Sequence, residues 1–186
     1  ERGLSASQGT APSPFWRDDA IRLMGQGVTA GDAVFAVTQG DAGRGHRQLI
    51  TLDREGRAGG FTGGKSVPAA AHRCFSGLAV AGNMLSSEAV LDALVTCYRE
   101  GDGEDMAERL LASLRAAEAA GGDSRGLLSA AMLVLHPDAP PLDLRVDHSA
   151  APLDDLGALL SAVRTPPYAD WLDEVPVLTD KSRAPG

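Results

Sequence analysis

The chain has 186 residues, of which 44% are hydrophobic and 23% charged, a composition that suits one soluble domain with a sizeable core. A formal net charge of −8 and a pI near 4.9, with no basic block to override the average, argue against a nucleic-acid surface. No apolar run approaches the roughly 18 residues of a membrane span, and no basic-then-apolar leader opens the chain, so no membrane partner is expected and the cytoplasm is the expected compartment.

In chain order, Gly3-Leu4-Ser5-Ala6-Ser7-Gln8 alternates small polar and apolar residues before Gly9 and reads as a strand. Phe15 to Met24 has helical spacing through Trp16, Ala20, Leu23 and Met24 and is stopped by Gly25 and Gly27. Thr29 then caps a second short helix, with Asp32 as its capping-box partner and Ala33, Val34 and Val37 on one face. The two helices are expected to form one layer. Residues 39–45 form a glycine-rich loop whose glycines are too irregular for a phosphate-binding fingerprint. His46 to Asp53 is a strand, Arg54-Glu55-Gly56 a turn, and Arg57 to Gly63 a glycine-rich return strand, making a hairpin. Lys65 to Ala71 is connective. Phe75 to Ala81 reads as one further strand running into Gly82-Asn83-Met84-Leu85.

Behind Ser86 and Ser87, the residues Val90, Leu91, Leu94, Val95 and Tyr98 recur at helical spacing up to about Arg99. Asp102 is expected to cap a stronger helix whose stripe is Met106, Leu110, Leu111, Leu114 and Ala117 and which ends on Gly121. Ser129 to Leu135 is apolar on both faces, the pattern of a strand sandwiched between layers. After the Pro137 to Pro141 turn, Leu142 to Asp147 alternates strictly, leucines and valine inward and Asp143, Arg145 and Asp147 outward. Asp154 to Val163 is the last amphipathic helix. The expected organisation is one domain over residues 1–164 and a Pro-rich tail over 165–186, with Trp171 as a residue able to dock it. Strands, paired helices, strands and a closing helix imply an α+β layered sandwich with largely antiparallel sheets.

The least ordinary chemistry gathers in Gly121-Gly122-Asp123-Ser124-Arg125-Gly126, between the best helix and the most apolar strand. Asp123 suits an Asx-type turn, and the Arg125 fork suits an anionic ligand or, structurally, Asp123 or Asp147. Asn83 is either a turn residue or an amide donor to a developing oxyanion. Arg47-Gln48, at a strand start, reads first as a solvated edge. The candidate ligand contacts are therefore Arg47, Asn83, Gly122, Asp123 and Arg125. His46, His72, His136 and His148 lack metal-ligand spacing, so neither a metal nor another cofactor is expected. Cys74 and Cys97 form no CxxC pattern and read as reduced core thiols. No GxSxG elbow is present, and Ser5, Ser7 and Ser129 are better explained by small-residue packing than as nucleophiles.

Arg47-Gln48 with Asp53 and Gly56, Phe61-Thr62-Gly63, Gly82-Asn83-Met84-Leu85, Ala120 to Gly126 with Ser129-Ala130-Ala131, and Leu144-Arg145-Val146-Asp147 together resemble the bacterial domain-of-unknown-function 1028 family, over roughly Gly3 to Leu160. That resemblance implies an N-terminal-nucleophile (Ntn) hydrolase-like αββα four-layer sandwich. It leads to the expectation of an amidohydrolase acting on a small amide or lactam C–N bond, with Asn83 and the Gly122 to Arg125 loop orienting substrate. Family members carry a further segment ahead of Gly3, including first strands and a Thr or Ser nucleophile. The expectation is that these lie upstream of Glu1, since a glutamate cannot serve as the hydroxyl or thiol whose own α-amine is the base. Sheet edges left open by missing strands lead to the expectation of a homodimer. The alternative is a non-catalytic protein of the same fold that binds a small ligand or acts as a structural dimer.

Overall fold

Side chains along Arg47-Gln48-Leu49-Ile50-Thr51-Leu52 alternate between two faces, and each face finds a different cover. In the computed structural model, which describes residues 3–185, this is strand β2 (Arg47–Leu52). It lies between β1 (Leu4–Gly9) and β3 (Ala58–Thr62) in an antiparallel three-stranded sheet. The register sets Gln8 opposite Gln48 and Gln48 opposite Thr62. Arg47-Gln48 is thus on the central strand rather than on a solvated edge. The edges are β1 and β3, and the pairing of β1 with β2 joins segments far apart in the chain.

Leu49 and Thr51 face a layer of two helices, α1 (Pro14–Gly25) and α2 (Ala30–Thr38). Pro14 needs no partner for a missing N–H in the first turn, and Ser13 Oγ accepts from Trp16 N at 3.3 Å, so α1 starts where its sequence says. Trp16, Ala20 and Met24, one turn apart, pack with Ala33, Val34 and Leu49. Thr29 caps α2: its Oγ1 accepts from Asp32 N at 3.2 Å and donates to Asp32 Oδ2 at 2.7 Å, so the cap is as expected while the carboxylate takes the Thr29 hydroxyl rather than its backbone N–H. The β2–β3 turn is closed by buried Asp53. Its Oδ1 accepts from Glu55 N (3.1 Å) and Arg57 N (2.9 Å), and its Oδ2 from Arg57 Nε (2.8 Å) and Ala30 N (3.1 Å) at the start of α2. Burial alone would raise this carboxyl, but the Arg57 and Ala30 donors outweigh it and hold Asp53 below its ordinary value.

The opposite face of the sheet, carrying Gln48, is covered by the hairpin β4 (Ala71–Phe75) and β5 (Leu78–Gly82). The sequence reads as one strand over Phe75 to Ala81; in the structure Ser76 and Gly77 reverse the chain and Phe75 pairs with Leu78. Gly77, at φ 74°, supplies the left-handed residue that so short a reversal needs. Gly59 and Gly60 let both covers close on β3. A Cβ on Gly59 would sit 2.7 Å from Ala30 O, and one on Gly60 would sit 2.4 Å from a ring carbon of His72. Helices, sheet and hairpin therefore stack in that order in the first of two compact units, which comprises the chain up to Val95 together with Ala120–Arg125. Helix α3 (Ala89–Glu100) begins in this unit, where Arg73 of β4 pairs with Glu88 and Asp92, each at 3.1 Å.

The second unit holds Thr96–Ala119 and the chain from Gly126 onward. Helices α4 (Met106–Ala119) and α5 (Pro152–Val163) pack on one face of the hairpin β6 (Ala130–His136) and β7 (Ala139–Val146). Ala107, Leu111, Met132, Leu144, Leu156 and Leu160 form its core, each fully buried leucine contributing about 1.5–3 kcal/mol. The cap of α4 is Asp105 rather than Asp102: Asp105 Oδ1 accepts from Ala107 N and Glu108 N at 3.1 and 3.2 Å, while Asp102 pairs with Arg109. Only one face of β6 is covered, since Leu133 and Leu135 are each 55% exposed; the expected sandwiching of this strand is not met. After α5, helix α6 (Tyr168–Leu172) follows, and Val177 rather than half-exposed Trp171 is the buried residue of the C-terminal segment. Thr179 anchors that segment on Pro137 O and Asp138. Cys74 is exposed and Cys97 half-buried, so the core-thiol reading fails.

Candidate functional site

Gln48 is fully buried, and a buried amide must find partners for both its ends. Its Nε2 donates to the carbonyl of Gly82 at 2.9 Å, with Ala71 O at 3.3 Å and Thr62 Oγ1 at 3.1 Å also in reach. Those backbone acceptors, paired with each other at the open end of the covering hairpin, settle which way the amide points. Its Oε1 is thereby turned toward Asn83 Nδ2 (3.0 Å) and Gln8 Nε2 (3.1 Å), and accepts from both. Thr62 Oγ1 also lies 2.9 Å from His72 Nδ1. Since Gln48 supplies a proton to Thr62, the threonine hydroxyl is free to donate to a neutral imidazole. Burial, then the adjacent Arg73, lowers the His72 pKa and favours that neutral form. Five uncharged side chains from β1, β2, β3, β4 and the end of β5 thus form one hydrogen-bonded group.

Asn83 itself is held by a zipper of backbone bonds. Met84 N donates to Val67 O (3.1 Å), Leu85 N to Ala69 O (3.2 Å), Ser124 N to Met84 O (2.8 Å) and Ser86 N to Gly122 O (3.0 Å). Met84 adopts φ 55°, a left-handed conformation costly for a residue with a side chain and kept here by its neighbours. The glycines of the Gly121 loop serve this zipper. Gly121, at φ 114°, has Ser86 Oγ 2.2 Å from where a Cβ would be, and Gly122 is buried with φ 51°.

The expected contacts are therefore divided. Asn83 lies in the amide group. Gly122 is a backbone acceptor next to it. Arg47 points to the other face of the sheet, where it pairs with Asp41, donates to Ala11 O at 2.8 Å and lies over the Trp16 ring. Arg125 is 67% exposed and its fork closes on Asp123 at 2.7 and 3.0 Å; Asp147 pairs with Arg145 instead. The Arg125 side chain lowers the Asp123 pKa more than burial raises it, and the Arg125 backbone N–H adds to the lowering. Gln8, Thr62 and His72 are not among the site residues the sequence points to, and Gln48 reads there as an edge residue. The available signal was a glutamine sharing a strand face with Ile50 and Leu52.

A cleft of about 330 Å³ lies elsewhere, lined by Gly56, Arg57, Ala58, Cys74, Phe75 and Ser76 at the other end of β3 and β4. Its one charged wall, Arg57, is committed to Asp53 and Glu55, so the amide group is the stronger candidate. Among the described residues no group of three or more His, Cys, Asp or Glu is arranged to hold a metal ion.

A family model described as a family of unknown function, DUF1028, matches residues 1–156. The crystal structure of a protein from Silicibacter pomeroyi, also described by that family model, is similar at a TM-score of 0.93 with 44% sequence identity, over 100% of this chain and 80% of the other. No curated protein matches the chain.

Proposed function

The chain belongs to the family of unknown function DUF1028, and from that membership and the pinned amide of Asn83 we propose that the protein hydrolyses the C–N bond of a small amide or lactam in the manner of an Ntn hydrolase. The observation that carries this reading is the use of one Asn83 N–H by buried Gln48. An amide nitrogen has two hydrogens, so the second is held in a fixed direction by a partner that cannot move. A donor prepaid in this way stabilises an oxyanion without reorganising during the reaction. The helix, sheet and hairpin layers of the first unit are in keeping with three of the four layers of an αββα sandwich. The mechanism requires a hydroxyl or thiol whose own α-amine is the base, and none of these 186 residues is proposed for that role.

The test is amine release from a panel of small amides and lactams by the full-length protein. Asn83→Ala is expected to lower kcat by about 10²–10³-fold, the scale for removing one oxyanion donor, with a smaller change in KM. Loss of KM alone, with kcat kept, would remove Asn83 from that role. A second reading, a non-catalytic ligand-binding or structural dimer, is favoured by the pairing of Arg125 with Asp123, which leaves that loop's charges spent on each other. Ligand binding without turnover by the full-length protein would select it. In either case a homodimer is proposed, because the outer face of β6 and the free edge of β1 are open.

A further inference from the structure

Gln8 and Asn83 both donate one N–H to the same atom, Gln48 Oε1, at 3.1 and 3.0 Å. Their nitrogens are therefore neighbours, although Gln8 is on β1 and Asn83 follows β5. Each amide has one more N–H, and neither side-chain carbonyl, Gln8 Oε1 or Asn83 Oδ1, has a hydrogen-bond partner among the described residues. Both residues are half-buried, so part of each amide still reaches solvent. Two fixed amides side by side thus present two donors and two acceptors.

The charge around them is equally telling. The nearby charges are paired: Arg47 with Asp41 on the far face of the sheet, Arg73 with Glu88 and Asp92 by α3, and Arg125 with Asp123 in the loop beside Met84. The other members of the group are Gln48, Thr62 and His72, none of them anionic. A carboxylate or phosphate ligand would find donors there but no balancing charge, and an ammonium ligand no anion. A ligand with a donor and an acceptor on one edge, and no formal charge, would satisfy both amides at once.

We propose that Gln8 and Asn83 form a twin-amide clamp that recognises the cis-amide edge of a neutral lactam, the N–H donating to one amide carbonyl and the C=O accepting from the other amide nitrogen. This deepens the hydrolase reading by naming its substrate class and rests on it only for the use of the site; binding itself requires no turnover. A linear amide holds N–H and C=O trans and presents them on opposite sides, so it engages one amide at a time.

The experiment is titration of ¹⁵N-labelled protein with 2-pyrrolidinone, N-methyl-2-pyrrolidinone and succinate, following the side-chain NH₂ signals of Gln8 and Asn83. The parent lactam is expected to shift both pairs of signals. N-methylation, which removes the donor, is expected to weaken binding about tenfold or more, and succinate to leave the signals unmoved. Gln8→Leu, on the edge strand and outside the proposed oxyanion role, should weaken binding by a similar factor while the thermal unfolding midpoint stays close to that of the parent. Should Gln8→Leu fail to fold, Gln8→Glu gives the same test by replacing a donor with a charge. Equal binding of the parent and N-methyl lactams, preferential binding of succinate, or no shift with any probe would overturn the clamp. Clamp binding with no amine release would overturn hydrolysis alone.

Discussion

Gln48 joins four segments through one uncharged amide, and its replacement shows what a buried polar group holds in place. Gln48→Leu keeps the approximate volume but strands the carbonyl of Gly82 and the donors of Asn83 and Gln8. Each fully stranded buried group costs about 1–3 kcal/mol, so chemical denaturation should show a loss of at least that size. His72 adds a pH dependence. Its pKa is lowered in the fold from the ordinary 6.5, so the unfolded chain binds the proton more readily. The corresponding stability is complete above about pH 6.5, the unfolded value, and is lost as pH falls through the lower folded value. Melting temperatures between pH 8 and 5 should show this slope, and His72→Gln should flatten it. Of this group only Asn83 stood out in the sequence, because Gly-Asn after an apolar strand is a turn signal with an amide attached. Gln48 did not, since polarity at a strand start implies exposure until the register with β1 and β3 is known.

Among the elements, helix stripes were the most legible. Trp16, Ala20 and Met24, and likewise Leu153, Leu156 and Leu160, are buried as their spacing requires. What the pattern did not resolve was where each element stops. Ser76-Gly77 sits inside an otherwise apolar run and makes two strands of one, and Asp102 and Asp105 compete as caps at a spacing periodicity cannot separate. The structure decides for Asp105, which also pairs with Arg164. Asp105→Ala is expected to cost about 1 kcal/mol for the lost cap, read as a shift in urea midpoint. Asp102→Ala, removing only a pairing between Arg109 and an exposed carboxylate, should cost less. Equal costs would argue against the assignment of the cap.

For the whole molecule, the α+β class followed from the order of helical and alternating segments, and the structure agrees at that level. The uncovered face of β6 was hidden because an apolar strand looks the same whether its second face meets its own chain or is left bare. Leu133 and Leu135 on that face should drive self-association, so sedimentation at micromolar concentration is expected to give a dimer. The double change Leu133→Lys and Leu135→Lys is expected to give a monomer, with α4 and α5 still packed on the inner face. A monomeric parent chain would remove the proposed dimer.

The Asp53 carboxylate sets a limit on how the first unit can open. By accepting the amide protons of Ala30, Glu55 and Arg57 it makes the start of a helix and both sides of a strand reversal share one acceptor group. Displacement of the carboxylate itself exposes all three protons at once, whichever of its two oxygens each one uses. In hydrogen exchange, the three amides should therefore slow and quicken together under mild destabilant. With Asp53→Ala, Ala30 should exchange at the rate of an unprotected helix end while the strands of the reversal keep their own protection.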